Sequence, residues 1–116
     1  MIAHSQVRFG LVGAGGIAQA YAQAFRDTQL ARLVAVADVR TESAVAIAQS
    51  LDCASYGSHQ DMIAGEDLDA VVICTPPVTH KDISADFCQA KVHVLCEKPL
   101  AIDSASALAM FAAAEE

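Results

Sequence analysis

The stretch Val7-Arg8-Phe9-Gly10-Leu11-Val12-Gly13-Ala14-Gly15-Gly16-Ile17-Ala18 changes its periodicity at the glycines. Its first half is a short, mostly apolar run that reads as a β-strand. Beyond the glycines, Ile17, Ala20, Tyr21, Ala24 and Phe25 recur at the spacing of one helix face. A strand, a tight glycine turn and an amphipathic helix therefore follow one another within about twenty residues.

The same alternation runs outward along the chain. Leu33-Val34-Ala35-Val36-Ala37 reads as a second strand, apolar on both faces, and Ala44, Ile47, Ala48 and Leu51 repeat the helical stripe. A weak third strand is expected near Ala54-Ser55-Tyr56, with a short helix around residues 60–64. Ala70-Val71-Val72-Ile73-Cys74, with three β-branched residues in a row, is the clearest strand. Ile83, Phe87 and Ala90 mark a further helix, His93-Val94-Leu95-Cys96 a fifth strand, and residues 103–116 an alanine-rich helix. Strands apolar on both faces, alternating with amphipathic helices, require a parallel sheet covered on both sides. The expected fold is a doubly wound α/β domain of about five strands, with residues 1–6 flexible. The pattern calls for a sixth strand after the last helix, so the chain is expected to be the front of a longer protein.

Composition narrows the function. The 116 residues are 54% hydrophobic with a mean hydropathy of +0.37, which excludes a disordered chain, although 24 of them are alanine and bury little area each. A net charge of −7, 5% aromatics and no Trp argue against a nucleic-acid surface. The longest apolar run, residues 107–114, is too short to span a membrane, and the N-terminus lacks the pattern of a signal peptide. Cys53, Cys74, Cys88 and Cys96 show neither C-x-x-C nor zinc spacing; they read as small buried hydrophobes, and no metal site is expected. A cytoplasmic domain is expected.

The glycine turn has the form G-x-G-x-x-A, and each small residue has a mechanical reason. Gly13 permits the tight turn, Gly15 lets backbone approach a pyrophosphate, and Ala18 lets the helix press on the strand. The pyrophosphate then lies on the N–H groups at the helix start, near Gly16 and Ile17. A plain strand–helix turn would look similar, but Asp38 ends the second strand 20 residues after Ala18. A carboxylate there accepts the ribose hydroxyls of an adenosine. Dinucleotide binding is therefore expected, with NAD favoured over NADP because a 2′-phosphate would meet a like charge. Arg40 could pair with that phosphate, so NADP stays open.

Two further loops leave the carboxyl ends of strands, where ligands bind in open α/β sheets. Thr75-Pro76-Pro77-Val78-Thr79-His80 is stiffened by its prolines, with Thr79 placed to cap the next helix and His80 beside the cleft. Glu97-Lys98-Pro99 sets an ammonium at the nicotinamide side, where it can orient a substrate oxygen and stabilise negative charge developing on it. The residues from Gly13 to Pro99 that this reading assigns to the cofactor are Gly13, Gly15, Gly16, Ile17, Asp38, Arg40, Thr75, Pro76, Pro77, His80, Glu97 and Lys98. Lys98 is the candidate catalytic group.

These segments, in this order and with Val94-Leu95-Cys96-Glu97-Lys98-Pro99-Leu100-Ala101 as the most specific, resemble the N-terminal domain of the glucose–fructose oxidoreductase / inositol dehydrogenase / MocA family. The resemblance runs from about Val7 to the last helix. It implies an oxidoreductase acting on a secondary alcohol or carbonyl of a sugar, cyclitol or related compound. It implies a lysine, here Lys98, at the nicotinamide and substrate, with Glu97 and Pro99 shaping its loop. It also implies a C-terminal substrate domain that supplies an acid/base histidine and is missing from these 116 residues, so that this chain alone is expected to be inactive. A homo-oligomer is expected. One departure concerns Lys91-Val92, where the family usually has Gly-Lys; a lysine in the left-handed turn ending a helix costs roughly 1 kcal/mol. Two rival readings remain: a non-catalytic dinucleotide sensor, which needs no lysine at the hydride site, and another kind of Rossmann enzyme.

Overall fold

The computed structural model describes residues 6–115, so the expectation of flexibility for residues 1–6 lies outside it except at Gln6, as does Glu116. Five strands alternate with helices: β1 Val7–Val12, α1 Gly16–Asp27, β2 Ala31–Ala37, α2 Thr41–Leu51, β3 Ala54–Tyr56, α3 His59–Gly65, β4 Ala70–Ile73, α4 His80–Gln89, β5 His93–Cys96 and α5 Ser104–Glu115. All pairings are parallel and the strand order is β3-β2-β1-β4-β5. The sheet is the doubly wound one expected from the sequence.

Burial explains why these runs became strands. β4 is buried at every residue and β2 over its last five, because helices cover both of their faces. On one face Leu11, Leu33, Val36 and Val72 pack with Ala18 and Ala22 of α1 and Ala44, Ile47 and Ala48 of α2. On the other, Val12, Val71 and Ile73 pack with Met62 of α3 and with Ile83 and Phe87 of α4. The order of strands reverses at β1, which has β2 on one side and β4 on the other. The crevice outside the carboxyl ends of β1 and β4 is the topological switch point where ligands settle in such sheets.

One local expectation fails. Thr79 precedes α4 as expected, but its hydroxyl does not cap the helix. Pro77–Thr79 forms a 3₁₀ turn that runs directly into α4, and the Thr79 and His80 N–H groups are already bonded to the carbonyls of Pro76 and Pro77. The Thr79 hydroxyl instead donates to the Pro76 carbonyl at 2.7 Å and lies 2.6 Å from the Thr75 hydroxyl. It closes the loop on itself. Side-chain caps form elsewhere: Ser58 accepts from the Asp61 N–H at 3.1 Å at the start of α3, and Asp103 from the Ser106 N–H at 2.7 Å at the start of α5.

Candidate functional site

Gly13 leaves β1 with φ +94, a conformation that side chains rarely adopt, and its N–H is held by the Ala37 carbonyl of β2 at 2.8 Å. A Cβ on Gly13 would sit 2.9 Å from the Cys74 carbonyl carbon, so the first two site loops touch backbone to backbone. By contrast, Cβ atoms on Gly15 and Gly16 would meet nothing within 4 Å. Their surface is open, and both are exposed along with Ile17. Ala18 is fully buried against the sheet, as a helix pressed close to a strand requires. The N-terminus of α1 has no side-chain cap and no acidic residue in its first turn, which leaves it electropositive and open to an anion.

Asp38 lies just past β2 and is held from two sides. Its Oδ2 accepts from the Ala14 N–H at 2.7 Å and its Oδ1 from the Arg40 N–H at 2.8 Å. The first bond ties the carboxylate to the glycine turn itself, a link no sequence spacing announces. Arg40 contributes its backbone to this arrangement, and its side chain is exposed. Between Gly13, Gly15, Asp38, Ser43, Thr75 and Pro76 lies a cavity of about 350 Å³.

On the other side of the switch point, Thr75 and Pro76 line the cavity, and Pro77 starts the turn beyond it. His80 differs from its expected place beside the cleft: it is 1% exposed, with Nδ1 3.0 Å from the Leu100 carbonyl and Nε2 2.7 Å from the Thr75 carbonyl. The ring is a brace behind the site, between the loop after β4 and the loop after β5. Lys98 is exposed, and among the described residues its ammonium has no carboxylate within 4.0 Å. The Glu97 carboxylate instead accepts a hydrogen bond from the Tyr21 hydroxyl of α1 at 2.6 Å. That bond, then burial and the Glu97 charge, push the Tyr21 hydroxyl up to about 12. Sequence reasoning used Tyr21 only as part of a helical stripe. Burial raises the Cys74 thiol to about 12 and the Cys96 thiol to about 11, so neither is a nucleophile at neutral pH.

A family model described as an oxidoreductase family with an NAD-binding Rossmann fold matches residues 7–116. The chain belongs to the Gfo/Idh/MocA oxidoreductase family. It is similar to an inositol 2-dehydrogenase of Rhizobium meliloti, 45% identical over 98 residues that make up 84% of this chain and 29% of the relative. A UDP-N-acetylglucosamine 3-dehydrogenase of Acidithiobacillus ferrooxidans is 34% identical over 95% of this chain and 34% of its own length. Among solved structures, the WlbA dehydrogenase of Bordetella pertussis, in complex with NADH and UDP-GlcNAcA, superposes with a TM-score of 0.91 at 31% identity, over 96% of this chain and 35% of that one. A 3-ketoreductase of Actinomadura kijaniata, solved with NADP, gives 0.89 at 28% identity over 96% and 34%. The chain spans about a third of the length of the relatives it matches. Within the Gfo/Idh/MocA family it corresponds to the NAD-binding Rossmann domain.

Proposed function

We propose that this domain binds NAD in preference to NADP, and that it serves a longer protein which oxidises or reduces a secondary alcohol or carbonyl on a sugar, cyclitol or related compound. The observation that carries the cofactor reading is the double anchorage of Asp38. A carboxylate pinned to the Ala14 and Arg40 N–H groups cannot swing aside for a 2′-phosphate, while its remaining lone pairs can still accept ribose hydroxyls. In this reading Gly13, Gly15, Gly16 and Ile17 receive the pyrophosphate. Asp38 and the Arg40 backbone hold the adenosine ribose. Thr75, Pro76 and Pro77 wall the nicotinamide side, with His80 bracing them from behind.

Bound NAD supplies the hydride acceptor or donor at its nicotinamide. Lys98 does the work that belongs to this chain: its exposed ammonium, without an ion pair among the described residues, polarises the substrate oxygen and stabilises charge developing there. The proton is expected to pass through a histidine of the substrate domain, by resemblance to the family. The sugar and cyclitol substrates named for the relatives support that substrate class, and an exposed lysine in the Glu97-Lys98-Pro99 loop favours an enzyme over a sensor. By the same reading the 116 residues alone are inactive, the intact protein is a homo-oligomer, and four free thiols fit a reducing cytoplasm. Among the described residues no helix is long and apolar enough to cross a membrane.

Calorimetric titration with both cofactors tests the reading. NADH is expected to bind about tenfold or more tighter than NADPH, equivalent to about 1.4 kcal/mol. Tighter binding of NADPH would mean that Arg40, not Asp38, decides the cofactor.

A further inference from the structure

The bond between Tyr21 and Glu97 joins the two ends of the site. Tyr21 is on α1, whose N-terminus faces the phosphate side, and Glu97 is the first residue past β5. The two are 76 positions apart, and the tyrosine oxygen lies 2.6 Å from Glu97 Oε2. The Glu97 backbone is fixed as well, its N–H donating to the Ile73 carbonyl at 3.0 Å. Neighbouring glutamate and lysine side chains on an exposed loop can form an ion pair. Here the carboxylate is turned to α1, and Lys98 stands without an ion pair among the described residues.

We propose that Tyr21 is a positioning residue: its hydroxyl holds the Glu97 carboxylate against α1 and so keeps the adjacent Lys98 ammonium unpaired and available to a substrate oxygen. The proposal rests on the role given to Lys98 above. A phenol suits the task because it donates one hydrogen bond without adding a charge that would compete with the lysine. The hydroxyl, held up to about 12, keeps its proton throughout the neutral range. The other titratable groups facing it are the Cys74 and Cys96 thiols, which burial keeps protonated, so neither draws the tyrosine proton away.

The test needs no nucleotide and no turnover. The chain has three lysines, Lys81, Lys91 and Lys98, and an amine-acylating reagent with peptide mapping reads each of them separately. In Tyr21→Phe the freed carboxylate pairs with Lys98, and an exposed pair of that kind slows acylation of Lys98 at mildly alkaline pH by about two- to fivefold. Lys81 and Lys91 keep their rates. In the double variant Tyr21→Phe/Glu97→Gln no carboxylate remains to pair, and Lys98 returns to at least its native rate. A native Lys98 rate in Tyr21→Phe, or no recovery in the double variant, overturns the proposal. Should Tyr21→Phe fail to fold, Glu97→Gln carries the test through the ultraviolet titration of tyrosine. The Tyr21 midpoint then falls from about 12 toward the ordinary 10.0, whereas an unchanged midpoint shows that Glu97 does not hold the hydroxyl and sinks the idea. A chain that labels as expected but binds no NADH would defeat the cofactor reading and leave the brace standing.

Discussion

The two halves of the sheet are finished to different degrees. On the β1–α1–β2 side the last three residues of β1 and the last five of β2 are buried, Gly13 is bonded to β2, and Asp38 is bonded back to the glycine turn. Both outer strands are edges, the three-residue β3 beside β2 and the longer β5 beside β4; the four residues of β5 alternate exposed and half-buried, with Leu95 48% exposed. The helix α5 packs on α4, burying Met110 while Leu108 and Phe111 remain 69% and 59% exposed. A cavity of about 410 Å³ opens beside Lys91, His93, Val94 and Ala114, larger than the one at the glycine turn. Size is a poor guide to function here. The smaller cavity is surrounded by backbone donors and a fixed carboxylate, whereas the larger one is an incompletely covered edge. The glycine-turn half is thus tied together by backbone bonds and a fixed carboxylate, and the half that carries Lys98 leaves more of its surface exposed.

The strongest way to sharpen that division is to remove Lys98. In an intact, active protein, Lys98→Ala is expected to lower kcat by about 100- to 1000-fold while NADH affinity stays within about twofold, because the lost group acts mainly in the transition state. A collapse of NADH affinity in a binding titration would place Lys98 among the cofactor anchors and blur the two halves. The reciprocal change is Gly13→Ala. The residue is held at φ +94, and the new Cβ would meet the Cys74 backbone at 2.9 Å, which cannot yield as a side chain would. The expected cost is about 2 kcal/mol or more, seen as a fall in Tm of about 8 °C or more together with weaker NADH binding. An unchanged Tm would show that the turn is looser than its contacts imply.

The sequence made the phosphate half legible because each part of it is a local event. A glycine turn, a small residue four or five positions on and an acid at the end of the next strand all lie within 26 residues, and periodicity locates them. All five strands were readable for the same reason, down to the short Ala54–Tyr56. What could not be read depends on contacts between distant segments. Tyr21 meets Glu97 across 76 positions, and no pattern on α1 distinguishes it from Phe25 on the same stripe. The sequence puts His80 beside the cleft because it opens a helix there, but after the turn at Pro77–Thr79 its ring lies inward, on two carbonyls. The Thr79 cap failed for a kindred reason, since its hydroxyl is turned back onto the Pro76 carbonyl and the Thr75 hydroxyl within the turn.

The uncovered half makes a prediction about association. A parallel edge strand carries unpaired N–H and C=O groups, and Leu95, Leu108 and Phe111 add apolar surface beside it. The charge of −7 opposes association weakly at physiological salt. This 116-residue chain is expected to self-associate through β5 or α5, so that light scattering gives at least about twice the monomer mass at high concentration and falls on dilution. Leu108→Glu with Phe111→Glu should hold it monomeric. A strictly monomeric native chain across the dilution series, with freely exchanging β5 amides, would mean that the β5 edge is not an association surface and that the two halves differ less than their exposure implies.

The smallest effect separates the halves at the ends of two helices. α2 ends on Asp52 at φ 53, and α4 gives way to Lys91 at φ 63. Both residues stand in the left-handed region and both close their helices by backbone bonds, Cys53 N–H to Ala48 at 2.9 Å and Val92 N–H to Phe87 at 2.9 Å. Aspartate, with its short polar side chain, adopts that conformation more readily than lysine, which bears about 1–2 kcal/mol of steric cost. Glycine removes the cost and returns about 0.4–1 kcal/mol of it as extra freedom in the unfolded chain. Lys91→Gly is therefore expected to stabilise by about 0.5–1 kcal/mol, a rise in Tm of about 2–4 °C, and Asp52→Gly to change Tm by less than about 1 °C. Thermal denaturation of the two variants side by side checks it. Equal shifts would mean that the turn after α4 is no more strained than the turn after α2, and that the lysine half differs from the phosphate half in its cover and not in its backbone.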